Sequence, residues 1–196
     1  MHEIVIVSIC LVRHGETDWN KIGRLQGRED IPLNSNGVFQ AEKCGLALKK
    51  RKWGAVFSSP LLRARQTADI IARSNEINRV SEDYDLIERD YGNASGLTLE
   101  ERNKLFPDGN YDGIEDWETL KNRVYSAILR GIDEAGGKDI FIVSHGSAIN
   151  SILAYLSDHV IGTDKTKLKN TCISMLEYKD QALSIVFYNK SAEEFL

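Results

Sequence analysis

The chain has 196 residues, 42% hydrophobic and 28% charged, with a formal net charge of -4. This is the balance of a single globular domain, long enough to bury about 70% of its unfolded surface. An acidic balance gives no global basic field, which argues against a nucleic-acid partner while leaving room for a local cationic pocket.

The first element in chain order is a β-branched, nearly unbroken apolar run, Ile4–Val12, which reads as a strand buried on both faces. Thr17 to Pro32 is polar and broken by Gly23, Gly27 and Pro32, so a loop with one helical turn is expected there. Asn34-Ser35-Asn36-Gly37 offers cap residues ahead of a helix over about residues 37–51, with Ala41, Cys44, Gly45 and Leu48 on one face. Ala55–Ser58 is a short strand. Ser59-Pro60 opens the next helix with Pro60 in its first turn, where a missing N–H costs least. Leu61, Arg65, Ala68 and Ala72 share a stripe of that helix, and Leu62, Ile70 and Ile71 help bury the rest.

Val80–Leu86 reads as a strand leading to Glu88, and Thr98–Phe106 as a short helix ended by Pro107-Asp108-Gly109. Trp117, Leu120, Val124, Ile128 and Ile132 fall at helical spacing, with Trp117 taken as core, and Gly136-Gly137 closes that helix. Asp139–Ser144 is a second buried strand, followed by a helix through Leu156. Cys172–Tyr178 and Leu183–Tyr188 read as a hairpin across Lys179-Asp180-Gln181. The alternation predicts one α/β domain over residues 1–196: a three-layer α/β/α sandwich with a largely parallel sheet and an antiparallel edge.

Other features bound the reading. Cys10, Cys44 and Cys172 are odd in number and scattered, so they read as buried thiols in a reducing compartment. No stretch reaches the length of a membrane span, and Met1-His2-Glu3 lacks the positive region of a signal peptide. A cytoplasmic protein without a membrane partner is expected, its oligomeric state left open.

Two strands far apart in sequence end alike, in Val12-Arg13-His14-Gly15 and Val143-Ser144-His145-Gly146. In a parallel sheet both carboxyl ends point the same way, so the two imidazoles can converge on one crevice. Gly15 lets the backbone turn sharply after His14. Arg13 and Arg63 offer planar donor forks suited to phosphate oxygens, and the helix N-terminus near Arg63 also favours an anion. Neutral imidazole is a competent nucleophile, and nearby arginines disfavour its protonation. Glu88 adds a carboxyl, with Glu82, Asp83, Asp85 and Asp90 as neighbouring rivals, and Arg65 is a rival for Arg63. His2 and His159 lack partners at metal-ligand spacing and read as surface residues; Lys165, Lys167 and Lys169 read as a solvated loop.

Five segments in order, Leu11–Asn20, Leu25–Gly37, Ser58–Ala68, Ile87–Gly96 and Val143–Ile149, resemble the histidine phosphatase superfamily, which includes phosphoglycerate mutases and many small-molecule phosphatases. The resemblance implies that His14 attacks phosphorus and is transiently phosphorylated. Arg13, Arg63 and His145 would surround the phosphoryl oxygens, and Asn20 would add a hydrogen bond. Glu88 would protonate the leaving oxygen and then activate water. Gln26, Gly27 and Gly146 would line the substrate or phosphate site. No metal or other cofactor is implied.

Only 57 positions separate Glu88 from His145, and Asp90 stands where the mutases have histidine. Both departures favour a metal-independent phosphatase of small phosphorylated metabolites over a cofactor-dependent mutase. A binding module that has lost catalysis ranks lower, because the whole residue set is present. Phosphoglycerates, sugar phosphates, nucleotide monophosphates and α-ribazole phosphate are the candidate substrates. Selectivity is expected from the loop around Gly23–Pro32 and from Asn93–Gly113.

Overall fold

Val7–Arg13 forms β1 in the computed structural model, which describes residues 6–195. Of the predicted strand, Ile4 and Val5 lie outside the described residues, and Ile6 is exposed ahead of β1. Thr17 and Asn20 cap α1 (Asp18–Lys21) reciprocally, the single turn expected in this loop. Asn34 accepts from the Gly37 N–H and starts α2 (Ser35–Leu48), slightly earlier than predicted.

After β2 (Ala55–Ser58) comes α3 (Leu62–Ser74), which starts past Pro60 rather than on it. Leu61 is still extended, and the Asp30 carboxylate accepts the first helical N–H, that of Leu62, at 2.6 Å. The buried face of α3 is Arg63, Ala64, Thr67, Ala68, Ile71 and Ala72; Leu62 is exposed, and Leu61, Arg65 and Ile70 are only half-buried. The helix is therefore rotated from the predicted stripe so that Arg63 points inward.

The strand predicted over Val80–Leu86 shrinks to the two residues of β3 (Ser81–Glu82). Asp83 then caps a 3-10 turn, Tyr84–Leu86, which turns the chain off the sheet edge toward Glu88. A second 3-10 turn, Gly92–Ala94, precedes α4 (Leu99–Leu105), capped by a reciprocal Thr98–Glu101 box. Then follow α5 (Trp117–Glu134), β4 (Ile140–Ser144) and α6 (Gly146–Leu156). β5 (Ile173–Lys179) and β6 (Ala182–Lys190) close a hairpin on Asp180-Gln181 alone, both at positive φ (50° and 62°), so Lys179 belongs to the strand. A last turn, α7 (Ala192–Phe195), ends the described chain.

The sheet order is β3-β2-β4-β1-β5-β6, with β3, β2, β4 and β1 parallel and the last two strands antiparallel. Alternate residues divide into two cores. Ile9, Leu11, Phe57, Ile140 and Ile142 pack with Leu120, Val124, Ile128, Ile149 and Ile152 of α5 and α6. Cys10, Val12, Val56, Phe141 and Val143 pack with Cys44, Leu48, Ala68 and Ile71 of α2 and α3. Burial on both faces explains the unbroken apolar runs, each fully buried aliphatic side chain being worth about 1.5–3 kcal/mol. All three cysteines are buried and free, and burial pushes each thiol up, that of Cys172 to about 11. No described helix is long and apolar enough to cross a membrane.

Candidate active site

β1 and β4 run side by side in register, Arg13 opposite Ser144, so the residues that follow them leave the sheet together. The His14 N–H donates to the Ser144 carbonyl at 3.0 Å, and the His14 and His145 rings lie 5.2 Å apart between centroids. The expected convergence of the two imidazoles is present. Gly15 is not at positive φ, however, and its lack of a side chain serves another need. A Cβ there would lie 2.5 Å from the Gly37 carbonyl oxygen, and one on Gly37 would lie 2.1 Å from that of Glu16. The paired glycines let the start of α2 press its backbone against the chain that carries His14.

His14 is 2% exposed. Its Nδ1 lies 2.7 Å from the Gly15 carbonyl, which can only accept, so Nδ1 carries the ring proton and Nε2 keeps its lone pair. Burial, then the charges of Arg63 and Arg13, hold this imidazole well below its ordinary pKa of 6.5. His145 is fully buried and is lowered by burial and by Arg63, His14, Arg13 and Arg123. Its Nε2 meets Ser59 Oγ at 2.8 Å, while Nδ1 is buried without a partner.

Arg63 is wholly buried, its guanidinium donating to the carbonyls of Glu29 (2.6 Å) and Gly27 (2.8 Å). Burial brings its pKa down to about 10, still protonated at neutral pH. Arg13 donates to the Leu168 carbonyl, and burial lowers it too. The Nε atoms of both arginines are buried without partners. Three of the six buried, unpartnered side-chain atoms among the described residues thus belong to Arg13, Arg63 and His145. Such atoms are uncommon, and their gathering around one imidazole leaves two guanidinium donors and one imidazole nitrogen with spare hydrogen-bonding capacity at a single place.

Glu88 lies beside them, its Oε1 accepting from Arg89 N–H (2.9 Å) and Ala148 N–H (3.0 Å), its Oε2 from Ser147 N–H (3.1 Å). It therefore sits on the N-terminus of α6. Both helix starts are met by the protein's own carboxyl groups, Asp30 at α3 and Glu88 at α6, which corrects the expectation of a ligand anion at α3. Asn20 Oδ1 accepts from Thr17 and Asn170, which leaves its Nδ2 for other acceptors.

Arg13, His14, Asn20, Gln26, Gly27, Arg63, Glu88 and Gly146 all line one cavity of about 300 Å³, and His145 lies behind His14. Every residue picked out from sequence is thus in one place. Gln26 accepts from Thr17 Oγ at 2.9 Å, and Gly27 reaches Arg63 through its carbonyl. Gly146 opens α6; a Cβ there would stand 3.7 Å from Arg13 Nε and 3.8 Å from Glu88 Oε2.

Several lining residues were missed: Arg24, Tyr91, Ser147, Asn150, Thr166 and Lys167. Lys165, Lys167 and Lys169 are exposed, as a solvated loop requires, and Lys167 in addition lines the cavity. Tyr91 bonds Ser147 Oγ at 2.5 Å and is pushed up to about 12 by burial and by the Glu88 charge. Trp117 is half-buried and packs against the edge of the core rather than within it, and the Arg89 guanidinium stacks 3.8 Å from its ring centre. Arg65 pairs with Asp69 and Glu82 outside the cavity. His159 is exposed, and His2 lies outside the described residues. Of the loops expected to set selectivity, Arg24–Gly27 lines the cavity; Asn93–Gly113 does not, although Gly96 accepts from Arg24 at 2.5 Å.

Support for the Glu88 loop comes from α5. Arg123 donates to the carbonyls of Asp85 (2.7 Å), Ile87 (2.8 Å) and Glu88 (3.0 Å), and pairs with the buried carboxylate of Glu115 at 2.7 Å. Glu115 is held low by Arg123, the Asp90 N–H and Arg28 against the opposing effect of its burial, which is the largest single influence.

Residues 9–191 match the histidine phosphatase superfamily (branch 1). The chain is 40% identical over 184 residues to the uncharacterized phosphatase PhoE of Bacillus subtilis (strain 168), covering 94% of this chain and 95% of that protein. It is 33% identical over 191 residues to phosphoglycerate mutase-like protein 4 of Arabidopsis thaliana, covering 91% and 82%. Among solved structures, Bacillus stearothermophilus YhfR has the same fold, with a TM-score of 0.87 over 94% of this chain and 97% of that one, at 24% identity. The chain belongs to branch 1 of the histidine phosphatase superfamily and is a phosphoric monoester hydrolase of that family.

Proposed function

We propose that this enzyme hydrolyses phosphomonoesters of small metabolites, without a metal ion, through a phosphohistidine on His14. The carrying observation is the unprotonated Nε2 of His14 beside two buried donors that lack acceptors, Arg13 Nε and Arg63 Nε, and beside the unpartnered Nδ1 of His145. A phosphoryl group seated among them would meet those donors, and its developing charge would be stabilised by fixed cations at no cost in reorganisation. Nε2 attacks phosphorus and the bond to the leaving oxygen breaks, while Glu88, entering this step as its carboxylic acid, passes that oxygen its proton. Water then attacks the phosphohistidine, Glu88 takes its proton, and phosphate departs with His14 restored. The positive charge that a metal would supply comes from Arg13 and Arg63.

One observation favours hydrolysis over transfer to a second substrate. Of the described chain between Glu88 and Gly146, only Tyr91 lines the cavity, so that connection contributes little toward closing it against water. A cavity of about 300 Å³ is at the small end for ligand sites, which fits a small metabolite.

The test is phosphate release from a panel of phosphomonoesters in the presence of a chelator. Wild type should release phosphate, and His14→Ala should be slower by about 10⁴-fold or more. Release that survives His14→Ala, or stops with chelator, contradicts the mechanism. Isomerisation of 3-phosphoglycerate without net release would establish a mutase instead.

A further inference from the structure

We infer that the leaving-group half of the cavity is a second anion site, formed by Arg24 and Lys167, and that the preferred substrate carries a second negative group beyond the phosphate to be cleaved. This rests on the phosphatase reading of the same cavity. The lining holds four cations, Arg13, Arg24, Arg63 and Lys167, against one carboxylate, Glu88. Arg13 and Arg63 flank His14 and serve the transferred phosphoryl group. The other two have no role in that chemistry.

Arg24 is placed by its side-chain contacts, Lys167 by its backbone. The Arg24 guanidinium donates to the Gly96 carbonyl at 2.5 Å and lies 5.7 Å from the Trp19 ring centre. Its one ion-pair partner among the described residues, Glu101, is at 3.9 Å and half-exposed, a pair worth little energetically and open to displacement. The Lys167 backbone is pinned on both sides. The Leu168 carbonyl accepts from catalytic Arg13, the Thr166 carbonyl from Asn150 Nδ2 at 2.8 Å, and that of Lys167 itself from Asn189 at 3.2 Å. Its ammonium makes no ion pair among the described residues. Asn150, which also lines the cavity, keeps a buried Oδ1 without a donor, suited to a hydroxyl or amine beside the second anion. A carboxylate and a second phosphate share the required chemistry.

Two matched pairs separate those sources: 3-phosphoglycerate against glycerol 3-phosphate for a carboxylate, and fructose 1,6-bisphosphate against fructose 6-phosphate for a phosphate. In wild type, kcat/KM should favour the doubly anionic member of at least one pair by tenfold or more. That ratio should fall about tenfold in Lys167→Gln and further in Arg24→Gln/Lys167→Gln. Lys167 is exposed and has no side-chain partner among the described residues, so Lys167→Gln should keep the fold. Phosphate release with no preference in either pair, or equal losses on both members, overturns the inference and leaves the phosphatase reading standing. If wild type releases no phosphate at all, calorimetric binding of the same four compounds to His14→Ala reads the site directly. A preference there that vanishes in the double variant supports the second anion site while the phosphatase reading falls; no preference overturns both.

Discussion

His14 is set up by three local contacts: a carbonyl that fixes its tautomer, burial that keeps it neutral, and a glycine pair that lets α2 press against its backbone. The last is the least forgiving. In Gly15→Ala the new methyl meets backbone, which cannot rotate away, so part of the loop must move. Such overpacking costs about 1–3 kcal/mol. Urea unfolding should register a loss of that order, and the rate of phosphate release should fall by more than the loss of folded protein explains. An Ala variant of wild-type stability and rate would show that the two backbones are not in contact.

At the scale of elements, long buried segments were legible and contact-dependent ones were not. The bounds of β2 and α6 agree with sequence because their apolar pattern, Gly and Pro breakers are local signals. β3 was overread because Val80, Tyr84 and Leu86 alternate like a strand although Asp83 turns the chain after Glu82 and Tyr84 is exposed. The motif residues that gather in the cavity around His14 were readable from sequence. Arg24, Lys167 and Arg123 were not, since each acquires its place only when distant segments pack, and a lone basic residue has no local signature. The α5 clamp carries its own prediction. Arg123→Met leaves the Glu115 carboxylate, 7% exposed, only Arg28 and the Asp90 N–H, and frees three carbonyls of the Glu88 loop. Breaking one partner of a buried pair costs about 3–5 kcal/mol. Denaturation should show that loss, kcat should fall while KM changes little, and Glu115→Gln/Arg123→Met should be less damaged than the two single losses summed. Strict additivity would mean the pair is not coupled.

For the whole molecule, two buried neutral imidazoles tie stability to pH. Both His14 and His145 are held below their ordinary value of 6.5, so under acid conditions the unfolded chain binds protons that the folded chain refuses. Their contribution is fully present above about pH 6.5 and is lost as pH falls from there toward the lowered folded values. Thermal or urea unfolding across that window should show stability declining on acidification, less steeply in His145→Gln. Phosphate, by pairing with the cationic cavity, should raise the melting temperature at neutral pH. A slope in His145→Gln equal to that of wild type would place the titrating groups elsewhere.

The phosphoryl-enzyme link itself is the most direct quantity to measure. Enzyme mixed with a ³²P-labelled phosphomonoester and quenched within milliseconds should carry label that is stable in base and lost in acid, that maps to the peptide containing His14, and that is absent from His14→Ala. Label that builds up more slowly than turnover, lies on another residue, or persists in His14→Ala would contradict nucleophilic catalysis by this imidazole.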